Sequence, residues 1–279
     1  MPEKPGEDGA GSRAEDAGRE TGGTGEAGEA REAKEGKEGN EGKEGKEGKA
    51  AKEAANRLLE FRGLTLAGLE GETVGPFDLE LGPGEKALVL HDEIDVLREL
   101  IRLTLGWARP LAGDVLYKGK SVFAGNRGLG PEVLAREVGV VHRESVLFSR
   151  RSLFDNIMLG YMYNFDEPER VLKARAGAGA ESLGIGKDDA KVPTGRLPER
   201  KRRLALYALA MSKDPGLYVL ERPLQFLDKD FERVWGEMTG RPERPAVLVL
   251  GRSREGYDRS RFDRVVVPAV PGDRGGPKG

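Results

Sequence analysis

From Leu58 onward, short apolar runs punctuate the chain at 77–81 (FDLEL), 86–90 (KALVL), 138–141 (VGVV), 217–220 (LYVL), 246–250 (AVLVL) and 264–267 (RVVV). Each is of strand length, and several are apolar throughout, the signature of strands buried on both faces. Between them, apolar residues recur every three to four positions. Ile94, Leu97, Ile101 and Leu105 form one such series, and Leu204, Tyr207, Ala208 and Met211 another. Buried strands alternating with amphipathic helices predict an α/β fold with a mostly parallel sheet covered on both faces. Residues 150–200 lack a convincing strand and are expected to form a small helical insert. Gly125–Gly130 is expected to be a surface turn rather than a phosphate cradle.

The first 55 residues differ. They carry 15 Asp and Glu against 10 Lys and Arg, and no Phe, Trp, Tyr, Leu, Ile or Val. Such a segment has no apolar surface to offset the entropy of ordering, so 1–55 is expected to be a disordered, low-complexity tail. The repeat at 34–49, KEGKEGNEGKEGKEGK, fits a solvated tether. The ordered body is expected over 56–270, followed by a disordered end at 271–279. The whole chain has a net charge of −2, which divides into −5 for the tail and +3 for the body. That balance gives no electrostatic case for a nucleic-acid partner. The absence of cysteine excludes a thiol nucleophile and Cys-ligated metal sites. No apolar window is long enough to span a bilayer and the N-terminus lacks a secretory apolar stretch, so a cytoplasmic location is expected.

The order of landmarks resembles the ATP-binding cassette (ABC) ATPases, the nucleotide-binding subunits of ABC transporters. LGPGEKALVL is similar to the strand entering the phosphate loop, and GWARPLAGDVLYKGKSV to the run that follows its helix. VGVVHRESVLFSRRSLFDNIMLG resembles the Q-loop region. LPERKRRLALYALAMSKDPGLYVLERPLQFLD resembles the signature motif, its helix, Walker B and the D-loop in one ungapped stretch. AVLVLGRS and FDRVVVP stand where the switch histidine and the closing strand fall. The resemblance covers nearly all of 58–268. It implies a P-loop NTPase-like fold with a mostly parallel sheet, an antiparallel β edge and a small helical insert subdomain.

At the positions that would touch nucleotide, the residues depart from the family. A phosphate loop needs glycines for close backbone approach, a lysine for phosphate charge and a hydroxyl for Mg²⁺. The aligned window, HDEIDVLR, puts His91 and Val96 at the two glycines, Leu97 at the lysine and Arg98 at the Ser/Thr. The Q-loop glutamine falls at Arg143, the Walker B pair at Glu221 and Arg222, and the switch histidine at Arg252. The signature LSGGQ has become Leu197, Pro198, Glu199, Arg200 and Lys201. The adenine-stacking aromatic falls near Gly68, and Asp228 of the D-loop alone stands as the family has it. A cation in place of the general-base carboxylate cannot accept a proton. These departures predict a non-catalytic, pseudo-ATPase subunit with no cofactor, a scaffold or regulator. The alternative is a divergent but active subunit using ATP and Mg, with Glu221 as metal ligand and Arg98 replacing the lysine. A soluble interaction module reusing the fold is a third reading.

The resemblance also implies partners: an integral-membrane permease, a second ABC ATPase subunit, or a homodimer, with the chain peripheral on the inner face of the cell membrane. Arg143, Leu147, Phe148, Leu153, Phe154, Asn156 and Ile157 keep the pattern of the region that receives the permease, although the same spacing serves core packing. His91 and His142, the two histidines, could form a metal site with Asp92 or Glu144 only as a remote possibility, and no metal site is expected. The cluster Arg200, Lys201, Arg202 and Arg203 is expected to be a solvated helix start. No G-x-S-x-G elbow supports a serine hydrolase.

Overall fold

The computed structural model describes residues 57–68, 71–123 and 129–269. The expected tail, the C-terminal end and most of the expected turn at 125–130 lie outside the described residues. Five strands form an all-parallel sheet: β3 (Lys86–Leu90), β6 (Val138–Val141), β7 (Leu217–Glu221), β8 (Ala246–Gly251) and β9 (Arg264–Val266). Their order is β6-β7-β8-β3-β9. Each strand coincides with one of the apolar runs. Side chains alternate between two cores, as pleating requires. Leu88, Leu90, Tyr218, Leu220, Val247 and Val249 face one, and Ala87, Val89, Leu217, Val219, Leu248 and Leu250 face the other. Continuous apolar sequence is therefore what a sheet buried on both faces needs.

The second core is covered by a four-stranded antiparallel sheet, order β2-β1-β4-β5, and by α1 (Ile94–Thr104). These strands are β1 (Leu59–Ala67), β2 (Thr73–Leu81), β4 (Ala112–Tyr117) and β5 (Lys120–Ser121). Apolar periodicity alone singles out neither β1 nor β4. Glu60, Arg62 and Gly63 interrupt β1, and its register shifts between Phe61 and Leu64 and again between Leu64 and Leu66. Across that irregularity Gly113 of β4 comes close to the β1 backbone. It has φ +83°, and a Cβ there would stand 2.3 Å from the carbonyl oxygens of Arg62 and Gly63.

The first core is covered by the helices α3 (Leu153–Asn164), α4 (Glu169–Ser182), α6 (Glu199–Met211) and α8 (Phe231–Thr239), while the short α5 (Lys187–Lys191) has no buried residue. A short α2 (Pro131–Glu137) precedes β6, and α7 (Pro223–Leu227) follows β7. Through residues 150–200 the backbone runs as α3, α4, α5 and a 3₁₀ turn (Thr194–Arg196), with a single bridge between Ser152 and Pro193. Leu153, Ile157, Tyr161, Leu172, Ala176, Leu183 and Ile185 join this segment to the same core as α6.

Replacing Gly113 with Ala adds a methyl against two backbone carbonyls and a positive φ. It is expected to cost roughly 2–3 kcal/mol, read as a lower midpoint in urea unfolding with an unchanged slope.

Candidate functional site

In open parallel sheets, ligands are held beyond the carboxyl ends of the strands. Here the ends of β3, β6, β7 and β8 line one edge, and the residues that follow them are His91, His142, Arg222 and Arg252. After β3 the chain has only His91, Asp92 and Glu93 before α1 begins at Ile94, inside the eight-residue window. The His91 amide donates to the Gly251 carbonyl oxygen at 3.0 Å, and the Glu93 amide donates to His91 Nδ1 at 3.1 Å. Val96 and Leu97 are wholly buried in the second core. Arg98 is turned to Asp95, with Nη1 3.0 Å from the carboxylate. The position expected for a phosphate-binding lysine is thus a core leucine, and two loop amides that could cradle phosphate are paired internally. These residues do not fit a triphosphate held in the manner of a phosphate loop.

The end of β7 is equally self-contained. Glu221 is 1% exposed, and its Oε2 accepts the Arg143 amide at 2.8 Å, tying the loop after β6 to β7. Its Oε1 is buried and has no hydrogen-bond partner among the described residues. Arg222 follows in the left-handed region (φ +49°), which is costly for a side chain bearing Cβ. Its guanidinium is buried against Glu255, which also accepts the Arg252 amide and the Tyr257 hydroxyl, each at 3.1 Å. Burial, and then the Glu255 charge, push the Tyr257 hydroxyl far up, so it remains a donor.

The two histidines serve their own loops. His91 Nδ1 accepts from Glu93, as above, and His142 Nδ1 accepts the Glu144 amide at 3.2 Å. Burial moves the His142 pKa below its usual value. Glu221 and Glu144 oppose that shift, and Arg98 reinforces it.

Pro198 is the N-cap of α6, one position ahead of N1, and the helix starts at Glu199. The basic cluster is not a freely solvated start. Arg200 makes two bonds to the buried carboxylate of Asp230, at 2.5 and 2.6 Å, and Lys201 reaches Asp189 at 2.7 Å. Arg203 pairs with Glu199, and Arg202 donates to the Leu197 carbonyl oxygen. The Arg200 bond holds the Asp230 carboxyl below the ordinary carboxylate range. Asp230, Asp189 and Glu255 carry these networks without standing out in the sequence, because they lie 30, 12 and 33 residues from their partners.

The docking candidates separate into three sets by burial. Leu153, Asn156 and Ile157 are interior, so they are corrected from surface to scaffold. The Asn156 side chain accepts the Phe148 amide at 2.7 Å and donates to the Phe148 and Ser152 carbonyl oxygens, fixing the loop from within. Leu147 and Phe154 are half-buried against the first core, while Arg143 is exposed. Phe148 is 65% exposed and its neighbour Val146 82%. Beside this loop lies a cleft of about 820 Å³, walled by α6 and α7 and lined by Arg143, Arg202, Arg203, Arg222, Tyr207 and Phe226 among others.

The described sheets and helices are those of an ABC-ATPase fold. A structure of cbiO1 from Clostridium perfringens, described as part of an ABC transporter complex, superposes with a TM-score of 0.64 at 18% identity. The match covers 77% of this chain and 86% of that one. An Fe(3+) ions import ATP-binding protein of Rhizobium meliloti is 32% identical over 93 residues, 33% of this chain and 23% of the relative. An ATP-dependent lipid A-core flippase of Xylella fastidiosa is 27% identical over 206 residues, 71% of this chain and 34% of the relative. The chain spans about a quarter to a third of the length of these two relatives. No family model matches it. These relatives are named as an import ATP-binding protein and an ATP-dependent flippase, and the fold is that of solved ABC transporter structures. That finding corrects the expectation of no cofactor, which rested on substituted positions alone: the relatives are ATP-binding or ATP-dependent by name.

The coupling between His142 and Glu221 can be read directly. The His142 ring is expected to titrate below 6.5 in a proton-NMR pH series. In Glu221→Gln its midpoint falls further, since a carboxylate that favours the imidazolium is removed.

Proposed function

We propose that the chain is a cassette-fold subunit of a membrane transport assembly that does not itself hydrolyse nucleotide. The observation that carries this reading is the end of β7. The group in the general-base position is Arg222, a buried cation paired with Glu255. The carboxylate before it, Glu221, is engaged by the Arg143 amide. A guanidinium there cannot take a proton from an attacking water. The subunit's contribution is then architectural or regulatory, through contact with an integral-membrane permease, a second ABC ATPase subunit or a second copy of itself. The exposed Val146 and Phe148, on a loop braced by Asn156 and by Thr194 Oγ1 bonded to the Phe148 carbonyl oxygen, supply a rigid apolar contact beside Arg143. Such a subunit works at the inner face of the cell membrane. Among the described residues no helix is long and apolar enough to cross a membrane.

One observation favours the active alternative. Glu221 Oε1, buried and unpartnered among the described residues, could receive a metal ion. A single assay on the full chain decides. With saturating Mg·ATP, phosphate release is expected to match the protein-free blank. Release that requires Mg²⁺ and disappears in Glu221→Gln would overturn the proposal.

A further inference from the structure

The cleft beside the 143–149 loop is charged in a way that the proposal above does not use. Four guanidinium groups line it, those of Arg143, Arg202, Arg203 and Arg222, against one lining carboxylate, Glu199. Arg222 is neutralised by Glu255, and Arg203 by Glu199. Arg202 uses one nitrogen on the Leu197 carbonyl oxygen, and no ion pair neutralises it among the described residues. Arg143 is exposed, and its side chain has no partner among the described residues. Two positive charges therefore remain uncompensated on one concave surface.

Tyr207 is a second, independent feature. It lines the same cleft, is 1% exposed, and its hydroxyl is buried without a hydrogen-bond partner among the described residues. A buried hydroxyl left unbonded is unfavourable, and natural interiors avoid it unless water or a ligand completes it. The cleft's volume is that of a small-molecule site, and it has apolar walls in Leu206 and Phe226, with Arg203 lying over the Phe226 ring at 5.3 Å.

We propose that this cleft binds a phosphorylated small molecule, with Arg143 and Arg202 on the phosphate groups, Tyr207 donating its hydroxyl to one of them, and Phe226 against the remainder. Guanidinium groups suit phosphate because their planar donors meet two oxygens at once. None of the lining residues belongs to the β3–α1 junction, where Leu97 is buried and the amides of His91 and Glu93 are paired. It goes beyond the non-hydrolysing reading and does not rest on it. The chain could hold a phosphate group here whether or not it turns over ATP.

Inorganic pyrophosphate, titrated into the full chain by calorimetry without Mg²⁺, probes the phosphate part alone. Saturable binding that weakens with added salt is expected. Arg143→Ala and Tyr207→Phe should each weaken it about tenfold, with melting temperatures near that of the parent showing that both remain folded. Arg98→Ala, at the β3–α1 junction, should leave the affinity unchanged. No saturable binding at millimolar pyrophosphate overturns the proposal. So does an affinity lowered by Arg98→Ala but indifferent to Arg143→Ala and Tyr207→Phe, which would return the anion to the junction.

Discussion

The buried ion pair between Arg222 and Glu255 sets the character of the sheet edge. A cation placed beyond the end of β7 must be paired or expelled, because burying an unpaired charge costs far more than a single packing contact. Glu255 meets that demand from the turn after β8, and it also holds the Arg252 amide and the Tyr257 hydroxyl. The ends of β7 and β8 are thereby joined through side chains. Glu221, one residue earlier, joins β7 to the loop after β6 through the Arg143 amide. His91 joins the end of β3 to Gly251. The carboxyl edge, where an open α/β sheet usually receives its ligand, is here largely engaged with itself.

This closure gives a physical account of the substitutions at the cassette landmarks. Leu97, which the resemblance aligns with the phosphate-loop lysine, packs in the core. Arg200 and Lys201, which the resemblance aligns with the second glycine and the glutamine of the signature, reach Asp230 and Asp189 of the same chain. The relatives are ATP-binding or ATP-dependent by name, which overturns the expectation of no cofactor. The arginine cleft lies beside the closed edge, between α6, α7 and the loop after β6, and it retains uncompensated positive charge.

The parallel sheet was legible because strands buried on both faces must be apolar at consecutive positions. The runs at 86–90, 217–220 and 246–250 carry little besides apolar residues. Helices α1 and α6 were legible from their three-to-four spacing. β1 escaped because the register shift around Arg62 and Gly63 breaks the phase of its alternation, and only the resemblance anticipated an antiparallel sheet there. At the site, the residues aligned with the cassette landmarks could be named from the sequence, but the partners of their side chains could not. Asp230 and Glu255 are ordinary surface-type residues until the fold brings them to Arg200 and Arg222. The spacing of Leu153, Asn156 and Ile157 was equally compatible with docking and with packing. Burial assigns them to packing and leaves Val146 and Phe148 as the exposed apolar pair of that loop.

Whether the Arg222–Glu255 pair holds the edge closed is measured most directly by a double-mutant cycle in urea. Arg222→Met and Glu255→Gln, each alone, should destabilise the chain by about 3 kcal/mol, since each strands a buried charge or its hydrogen-bonding partner. The double variant should recover much of that loss, giving a coupling energy on the order of 2 kcal/mol. Effects that simply add, with coupling under about 0.5 kcal/mol, would mean that the two side chains do not act as a buried pair and would contradict the closed edge.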